Sequence, residues 1–501
     1  MKLSVSLHIV CTTLLSIGGC EIAVPVAQRA SVVRDAVKHF WIGYKNSSWG
    51  SDEVRPIAGG SGGDWGDVGM MILDSLDTLW IAGLRDEFME GECWVSKMNF
   101  NKLDHAERTS FFEMIIRGLG GLLAAYSLSG HSIFLEKAKD LGNRLLNGFP
   151  KQGFSLRRQN HRWPVSYIDI HNPVDVEITP SFHSEFTALA DAGSNILEFN
   201  YLSQIVGDSC YKNVADASMN NIIDLSGKTH QYLAPKTLEP YSLNFESNRV
   251  SVGAMADSYF EYLLKRYIQS GKRDQHMLEA WKGAMSEMRQ ALVRTTPEGL
   301  TYIAMESSSE TNGKGPPSYS EPTPEMEHLA CFVGGMLALG SHFAPASEVE
   351  SWWLPTGIEL TRTCYEMYNT TPSGLAPEKV SFRKGQIIAT SPEYRLRPET
   401  LESLFYLYRI TGNETYREWS WNIFQAINKH TRTRYGFAKV SDVRSLPVPL
   451  EDSEETFMGA ETLKYALLMH LPSSVSLEQF VFNTEAHAFP IQWSTDARRM
   501  T

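Results

Sequence analysis

The sequence predicts an all-α fold, a single-domain barrel built from helix hairpins. Two observations lead to this prediction. An apolar helical run that ends at a glycine and is followed by a second helical run recurs along the 501 residues, and several carboxylates lie inside such apolar runs. Hairpins that each expose one apolar face can close on one another and share a core. Carboxylates on their inner faces would then converge on one cavity.

The first twenty residues have the pattern of a secretory signal. Lys2 precedes a mainly apolar stretch that ends at the small residues Gly18 and Gly19. A signal anchor is the alternative, because the stretch is close to the minimum membrane span of about 17 residues. We expect a signal peptide or signal anchor at 1–20, a short leader at 21–28, the α/α-barrel domain at 29–495 and a tail at 496–501.

The helix–turn–helix pattern has a glycine at its centre, which suits the left-handed residue that ends a helix. These glycines are Gly83, Gly130, Gly207, Gly271, Gly340 and Gly412. They are about 47 to 77 residues apart, the length of a hairpin and its return loop. A final pair near residues 463–471 brings the expected number to about seven hairpins with no internal domain boundary. The Ser-, Gly- and Pro-rich segment 307–324 predicts a surface loop.

Charge and cysteine content exclude some functions. The net charge of -12 argues against a nucleic-acid partner, which requires a basic face. Four cysteines follow the first twenty residues: Cys93, Cys210, Cys331 and Cys364. They allow one or two disulfides in an oxidising compartment. None forms a Cys-x-x-Cys pair, so neither a zinc site nor a thioredoxin-like motif is expected.

Three N-glycosylation acceptors, at Asn46, Asn369 and Asn413, agree with a lumenal location. We expect a monomer that resides in the secretory pathway lumen, in the endoplasmic reticulum or Golgi, or is secreted. The segment at 1–20 leaves an N-terminal membrane anchor open.

Five carboxylates lie in apolar helical runs, where each must be paired, protonated or functional. They are Glu113, Asp257, Glu399, Glu402 and Glu461. Arg117 follows Glu113 by one helical turn on the same face, and Arg397 precedes Glu399. One interpretation is structural: buried ion pairs brace the starts of helices. The other is catalytic: converging carboxylates suit glycoside hydrolysis, in which an acid protonates the leaving oxygen and a base activates water.

Two further features are interpreted structurally. Asp74 and Asp77, in ILDSLDTLW, resemble a short metal-binding motif, but hydrogen bonds that cap or join helices are the favoured interpretation. The Gly-rich run 59–69 predicts a loop at the rim of the fold, and no role is assigned to it.

Sequence blocks across residues 29–493 resemble the class I α-mannosidases, glycoside hydrolase family 47. They include FWIGYK, ILDSLDTLWIAGLRDEF, FFEMIIRGLGGLLAAYSLSG, ADSYFEYLLKRYIQSGK, LRPETLESLFYLYRITG and FVFNTEAHAFPI, in the family's order. The resemblance implies an (αα)7 barrel, in agreement with the hairpin count. It also implies an exo-acting, inverting, Ca²⁺-dependent α-1,2-mannosidase that trims high-mannose N-glycans.

The resemblance also implies roles for individual residues. Glu113 matches the general acid, which acts through a water, Glu399 the general base, and Asp257 a third essential carboxylate. Thr484 matches the residue whose hydroxyl and carbonyl bind Ca²⁺ at the barrel floor. Positions that match sugar- and water-binding residues are Arg117, Glu198, His328, Glu378, Arg397, Glu402, Glu461 and Glu485, with Phe457 beneath the terminal mannose. The family's disulfide would join Cys331 and Cys364.

One departure from the family pattern bears on substrate range. Met255 lies two residues before Asp257, where members that trim one specific branch have arginine. An apolar residue there is similar to the Golgi-type and secreted fungal members, which trim several linkages. Ala488 replaces the usual proline of TEAHP.

Three alternatives remain open. The first is a degradation-enhancing mannosidase-like protein that binds misfolded glycoproteins. The second is a mannose-binding lectin on the same barrel, without catalysis. The third is an unrelated α/α-barrel glycosidase such as a glucoamylase.

Overall fold

The computed structural model describes residues 24–63, 65–103, 108–149, 163–171, 185–229, 232–240, 242–310 and 317–492. The predicted signal or anchor at 1–20 and the tail at 496–501 lie outside these residues. The first helix begins at Val26, three residues before the predicted start of the barrel domain.

Helices form most of the scaffold, as predicted. They are α1 (Val26–Ser48), α2 (Met70–Ile81), α3 (Arg85–Lys97), α4 (Phe111–Ser129), α5 (Ser132–Leu145), α6 (Leu189–Gly193), α7 (Ile196–Val206), α8 (Ser209–Lys228), α9 (Asp257–Gln269), α10 (Gln275–Ala291), α11 (His328–Phe343), α12 (Trp353–Asn369), α13 (Glu399–Thr411), α14 (Glu414–His430) and α15 (458–468). A π-helical turn opens α15 (Met458–Thr462) and another lies within α4 (Met114–Leu119). Such turns are frequent at functional sites.

Seven of these helices are largely buried and pack in succession. They are α2, α4, α7, α9, α11, α13 and α15, and α15 packs in turn against α2. The first six each pack against the more exposed helix that follows them in sequence, as predicted for hairpins. The seventh pair is different, because α15 packs against α1 from the start of the chain.

Helix α4 is long and apolar enough to cross a membrane by length and composition. However, 72% of its apolar window is buried inside the protein, as in the core helix of a folded domain. All residues of α4 lie in the described part of the chain.

Five of the six predicted turn glycines do have the left-handed conformation. Gly83, Gly130, Gly207, Gly271 and Gly412 have φ between 68° and 77°. The prediction was wrong for Gly340, which lies inside α11. A Cβ there would lie 2.1 Å from the Trp281 ring, so this glycine permits close packing and does not form a turn.

Short strands connect the helices. They are β1 (Thr109–Ser110), β2 (Tyr167–Ile168), β3 (Thr187–Ala188), β4 (Thr237–Leu238), β5 (Arg249–Val250), β6 (Val293–Thr295), β7 (Thr301–Ile303), β8 (Ser307–Glu310), β9 (Ser318–Tyr319), β10 (Glu325–Glu327), β11 (Lys379–Arg383), β12 (Gln386–Ser391), β13 (Lys439–Val440), β14 (Leu450–Glu451), β15 (Phe480–Phe482) and β16 (Ala488–Pro490). All pairings are antiparallel. The predicted surface loop 307–324 contains β8 and β9, which pair with each other, so its described residues include a strand pair that is partly exposed.

The hairpin of β15 and β16 inserts among the buried helices. It packs against α4 and α9. In its turn, Asn483 Nδ2 donates a hydrogen bond to the carbonyl of Ile116 in α4 (2.9 Å). Lys464 Nζ of α15 donates to the carbonyl of Ala486 (2.7 Å). These bonds hold the turn between helices that are distant in sequence.

Asp74 and Asp77 join α2 to this hairpin and to α15. The Asp74 Oδ1 atom lies 3.0 Å from His487 Nε2, and Asp77 Oδ2 accepts a hydrogen bond from Lys464 Nζ at 2.8 Å. All four side chains are completely buried. The predicted interhelix bonds are therefore confirmed. Among the described residues, no group of three or more His, Cys, Asp and Glu side chains could hold a metal ion.

Candidate active site

A cavity of about 380 Å³ lies among the buried helices, and the turn between β15 and β16 contributes to its lining. Ten residues singled out in the sequence line it: Glu113, Arg117, Asp257, Arg397, Glu399, Glu402, Phe457, Glu461, Thr484 and Glu485. They come from four helices, the segments directly before α13 and α15, and the hairpin turn. Three other predicted residues, Glu198, His328 and Glu378, do not line the cavity.

Glu113 and Arg117 form one wall. Glu113 lies in the first turn of α4, whose start is capped by the Ser110 hydroxyl. The Arg117 Nε atom donates to Glu113 Oε2 at 2.6 Å, which confirms the predicted pairing across one turn. Arg117 also donates to Glu485 Oε2 at 3.0 Å. Its guanidinium lies 5.7 Å from the ring centre of Phe457, so the charge is held against an aromatic face.

Glu399 begins α13 on another wall. Arg397 NH1 lies 3.6 Å from its Oε1 atom, whereas Oε2 is buried with no hydrogen-bond partner in the described structure. Burial raises the pKa of Glu399 to about 7, although the positive charge of Arg397 opposes the rise. This carboxyl can therefore take up or release a proton near neutral pH.

Asp257 is the first residue of α9, and its Oδ1 atom accepts a hydrogen bond from the Ser258 backbone N–H at 2.9 Å. Burial raises the pKa of Asp257 to about 7, and the charges of Glu327 and Glu399 add to the rise. Met255, two residues earlier, also lines the cavity and has a positive φ of 76°.

Acidic groups line the cavity together with Thr484. Burial raises the pKa of Glu402 and of Glu485 to about 8 and that of Glu461 well above its usual range. Repulsion from other carboxylates adds to each rise, and Lys265, 3.5 Å from Glu402, opposes the rise at Glu402. The cavity lining therefore holds more acidic groups than nearby cations neutralise.

Glu198 is buried outside this lining. Its Oε1 atom accepts hydrogen bonds from Tyr262 Oη (2.7 Å) and Asn483 Nδ2 (2.8 Å). Tyr262 Oη in turn lies 3.4 Å from the backbone nitrogen of Thr484. In this structure Glu198 therefore supports the hairpin turn.

His328 and Glu378 support the start of α13. The His328 Nε2 atom lies 3.0 Å from Thr400 Oγ1, and burial lowers the pKa of His328 to about 3, so the ring is neutral. Glu378 Oε2 accepts a hydrogen bond from Arg397 Nε at 2.7 Å. Both side chains act on the cavity through the residues that they hold.

Among the features not predicted from the sequence are an acid of the cavity lining and a tryptophan near Arg117. Asp191, in LADAGSN, lines the cavity, and burial together with repulsion from Glu113 raises its pKa to about 7. Asp191 directly follows the apolar residues Leu189 and Ala190. It is therefore a carboxylate in an apolar run, the same pattern that pointed to Glu113. Trp65, in the Gly-rich run, lies 5.6 Å from the Arg117 guanidinium. No periodic pattern marks that run, so its position could not be predicted.

The disulfide between Cys331 and Cys364 joins α11 to α12, as the resemblance implied. Cys93 and Cys210 are exposed thiols, so the structure contains one of the two disulfides that composition allowed.

Comparisons with known proteins identify the family of the chain. Residues 36–491 match the family described as Glycosyl hydrolase family 47. The chain is 38% identical to "Mannosyl-oligosaccharide 1,2-alpha-mannosidase MNS1" of Arabidopsis thaliana, covering 95% of this chain and 80% of the plant protein. It is also 38% identical to the "Endoplasmic reticulum mannosyl-oligosaccharide 1,2-alpha-mannosidase" of Homo sapiens, covering 92% of this chain but 64% of the human protein.

A solved structure extends the similarity to three dimensions. The "alpha-1,2-mannosidase from Trichoderma reesei" superposes with a TM-score of 0.81 at 25% sequence identity, covering 93% of this chain and 99% of that one. With a family match over nearly all of the described residues, the chain belongs to glycosyl hydrolase family 47 and is a glycoside hydrolase.

Proposed function

We propose that this protein is an exo-acting α-1,2-mannosidase that trims high-mannose N-glycans. The observation that carries the proposal is the meeting of Glu113, Asp257 and Glu399 in one cavity of about 380 Å³. Because the hairpin turn contributes Thr484 and Glu485 to the lining, we interpret the cavity as a pocket that takes the end of a glycan chain. The names of the plant and human relatives supply the linkage and the sugar.

We propose an inverting mechanism with direct attack by water. Glu399 is the general base, because its Oε2 atom faces no protein partner and its pKa of about 7 allows it to accept a proton from water. Glu113 is the general acid and acts through a water, with Arg117 fixing its position. Asp257 is the third essential carboxylate. Inversion of an α-linkage releases β-mannose.

We propose Ca²⁺ as the cofactor, held by the hydroxyl and carbonyl oxygens of Thr484. The residues present fit such an ion, because Glu402, Glu461 and Glu485 line the same cavity as Thr484 and supply negative charge there, although they do not form a direct ligand group. Calcium prefers oxygen ligands and accepts waters and sugar hydroxyls among them. When bound, it would polarise and orient the sugar hydroxyls.

The remaining expectations are also proposals. The paired helices are interpreted as one (αα)7 barrel at 29–495, since the seven buried helices pack in succession and return to the first. The protein is proposed to act as a monomer in the secretory pathway, where the human relative is named as an endoplasmic reticulum enzyme. Met255 favours trimming of several linkages.

The test is incubation of the purified protein with a Man9 oligosaccharide, with and without EDTA. We expect release of mannose that stops on chelation and returns with Ca²⁺. Activity that survives chelation would remove calcium from the proposal. Binding of the oligosaccharide without any release would favour the lectin or the degradation-enhancing alternative. Proton NMR of the first product should show the β-anomer, and an α-anomer would exclude direct attack by water.

A further inference from the structure

A groove on the outer surface lies between the end of α1 and helix α3. Its volume is about 480 Å³, and its lining includes Lys45, Trp49, Met89, Glu90, Cys93 and Trp94. Met89 is 51% exposed and Trp49 is 37% exposed, values that are high for large apolar side chains. Large apolar side chains exposed together in a groove suit a ligand that has an apolar face.

The two tryptophan rings are held in place. The ring of Trp49 meets the buried Trp41 edge-on, with centroids 5.3 Å apart, and lies 5.8 Å from the ring of Tyr44. The Trp94 ring packs against the backbone of Gly50, where a Cβ would come within 3.0 Å of its Nε1 atom. The shape of the groove therefore exists before anything binds, which lowers the entropic cost of binding.

The groove combines aromatic faces with charged groups. Lys45 Nζ donates to Glu90 Oε1 at 2.5 Å, and Trp41 Nε1 donates to Glu90 Oε2 at 3.2 Å. A sugar ring presents C–H groups on one face and hydroxyls at its edge. Apolar rings with a few fixed polar groups match both parts of such a ligand. The chemistry of the groove therefore suits a short oligosaccharide.

The sequence places an attachment point for such an oligosaccharide beside the groove. Asn46 is exposed and begins the acceptor Asn46-Ser47-Ser48 in the last turn of α1. Trp49 follows it by three residues, and side chains at this spacing are neighbours, with Cβ atoms about 5–6 Å apart. A glycan on Asn46 would thus begin next to the Trp49 ring. Covalent attachment gives it an effective concentration in the mM range, so weak contacts suffice.

We propose that Asn46 carries an N-linked glycan whose first sugars pack against Trp49 and Met89 and cover Cys93. The glycan takes the place of a protein partner on this apolar surface and shields the thiol from oxidants. The proposal rests on the secretory location in the proposed function, because N-glycans are added there. It does not depend on the cavity or on mannosidase activity.

The test uses the full-length protein secreted from eukaryotic cells. Glycopeptide mass spectrometry measures occupancy at Asn46, and maleimide labelling followed by mass spectrometry measures the reactivity of Cys93. Cys210, an exposed thiol on α8, is the reference within the same molecule. We expect occupied Asn46, and we expect Asn46→Gln to raise Cys93 labelling about tenfold with Cys210 unchanged. That factor corresponds to a thiol covered about nine-tenths of the time.

Two further variants distinguish loss of the surface that the glycan contacts from loss of the residue that carries the glycan. Asn369→Gln removes a different acceptor and should leave Cys93 labelling unchanged. Trp49→Ala keeps the glycan but removes the aromatic ring that it contacts. This variant should raise Cys93 labelling towards the level seen in Asn46→Gln. Occupied Asn46 with unchanged Cys93 labelling in Asn46→Gln would overturn the proposal. So would a bare Asn46 in a protein glycosylated at Asn369 or Asn413. If all three acceptors are bare, the secretory location fails as well, whereas failure of the mannosidase assay alone leaves the glycan proposal standing.

Discussion

Acidification should stop catalysis by protonating Glu399. Burial raises its pKa to about 7 even with Arg397 3.6 Å away. A general base works only when ionised, so kcat/KM should rise with pH through the neutral range. One unit below its pKa about a tenth of a carboxyl is ionised, and two units below about a hundredth. We therefore expect kcat/KM at pH 5 to lie at least about a hundredfold below its plateau, measured as initial release of mannose from Man9 with Ca²⁺ in excess.

The matched variant is Glu399→Gln, which keeps the size of the side chain but cannot accept the proton. General base catalysis contributes about 10²- to 10⁴-fold, so kcat should fall by that factor. Glu393→Gln changes a carboxylate in the preceding segment, outside the cavity, and should keep the wild-type profile. A Glu399→Gln enzyme with a near-normal rate and the same decline in acid would refute the assignment of the base.

Three other perturbations follow from the structure. Replacing both Cys331 and Cys364 by alanine opens a loop of 33 residues and should lower the free energy of unfolding by about 4 kcal/mol in urea titration; no change would show that the disulfide does not constrain the unfolded chain. Lys464→Met leaves Asp77 buried with His487, 3.3 Å away, as its remaining partner and should cost about 3 kcal/mol by the same assay; a loss below about 1 kcal/mol would contradict that account. Met255→Arg should leave Man8 as the main product from Man9, as judged by chromatography, and unchanged further trimming would separate this position from substrate range.

Contacts within one helical turn could be predicted from the sequence. The pairing of Glu113 with Arg117 was predicted from spacing alone and was confirmed, although a π turn interrupts that part of α4. The other partners of Arg117 could not be predicted. Thr456 and Glu485 lie 339 and 368 residues further along the chain, and spacing reports only on residues of the same helix.

The conformation of a glycine could not always be predicted from the residues beside it. Gly130 and Gly340 both end an apolar run in the sequence, but only Gly130 takes the left-handed conformation. At Gly340 the missing side chain makes room for Trp281. One residue type serves two physical purposes, and the neighbour that distinguishes them is distant in sequence.

The backbone conformation of the Gly-rich run 59–69 also depends on residues outside the run. The Asp52 carboxylate accepts hydrogen bonds from the backbone N–H groups of Trp65, Asp67 and Met70 at 2.7–3.0 Å. These bonds fix the end of the run and bring Trp65 near Arg117. Because glycine allows many backbone conformations, contacts with residues outside the run, such as those with Asp52, determine which one is adopted.

The inserted hairpin of β15 and β16 has a consequence for biosynthesis. A ribosome makes the chain from its N-terminus, so Asn483 and His487 emerge after nearly all of the helices. Until then, Glu198 lacks its bond from Asn483 and Asp74 lacks its bond to His487. A buried carboxylate without its partner is costly, so the helices around Glu198 and Asp74 complete their packing only once this hairpin is available. Insertion of the hairpin and closure of the buried core are therefore linked steps, both later than synthesis of the helices.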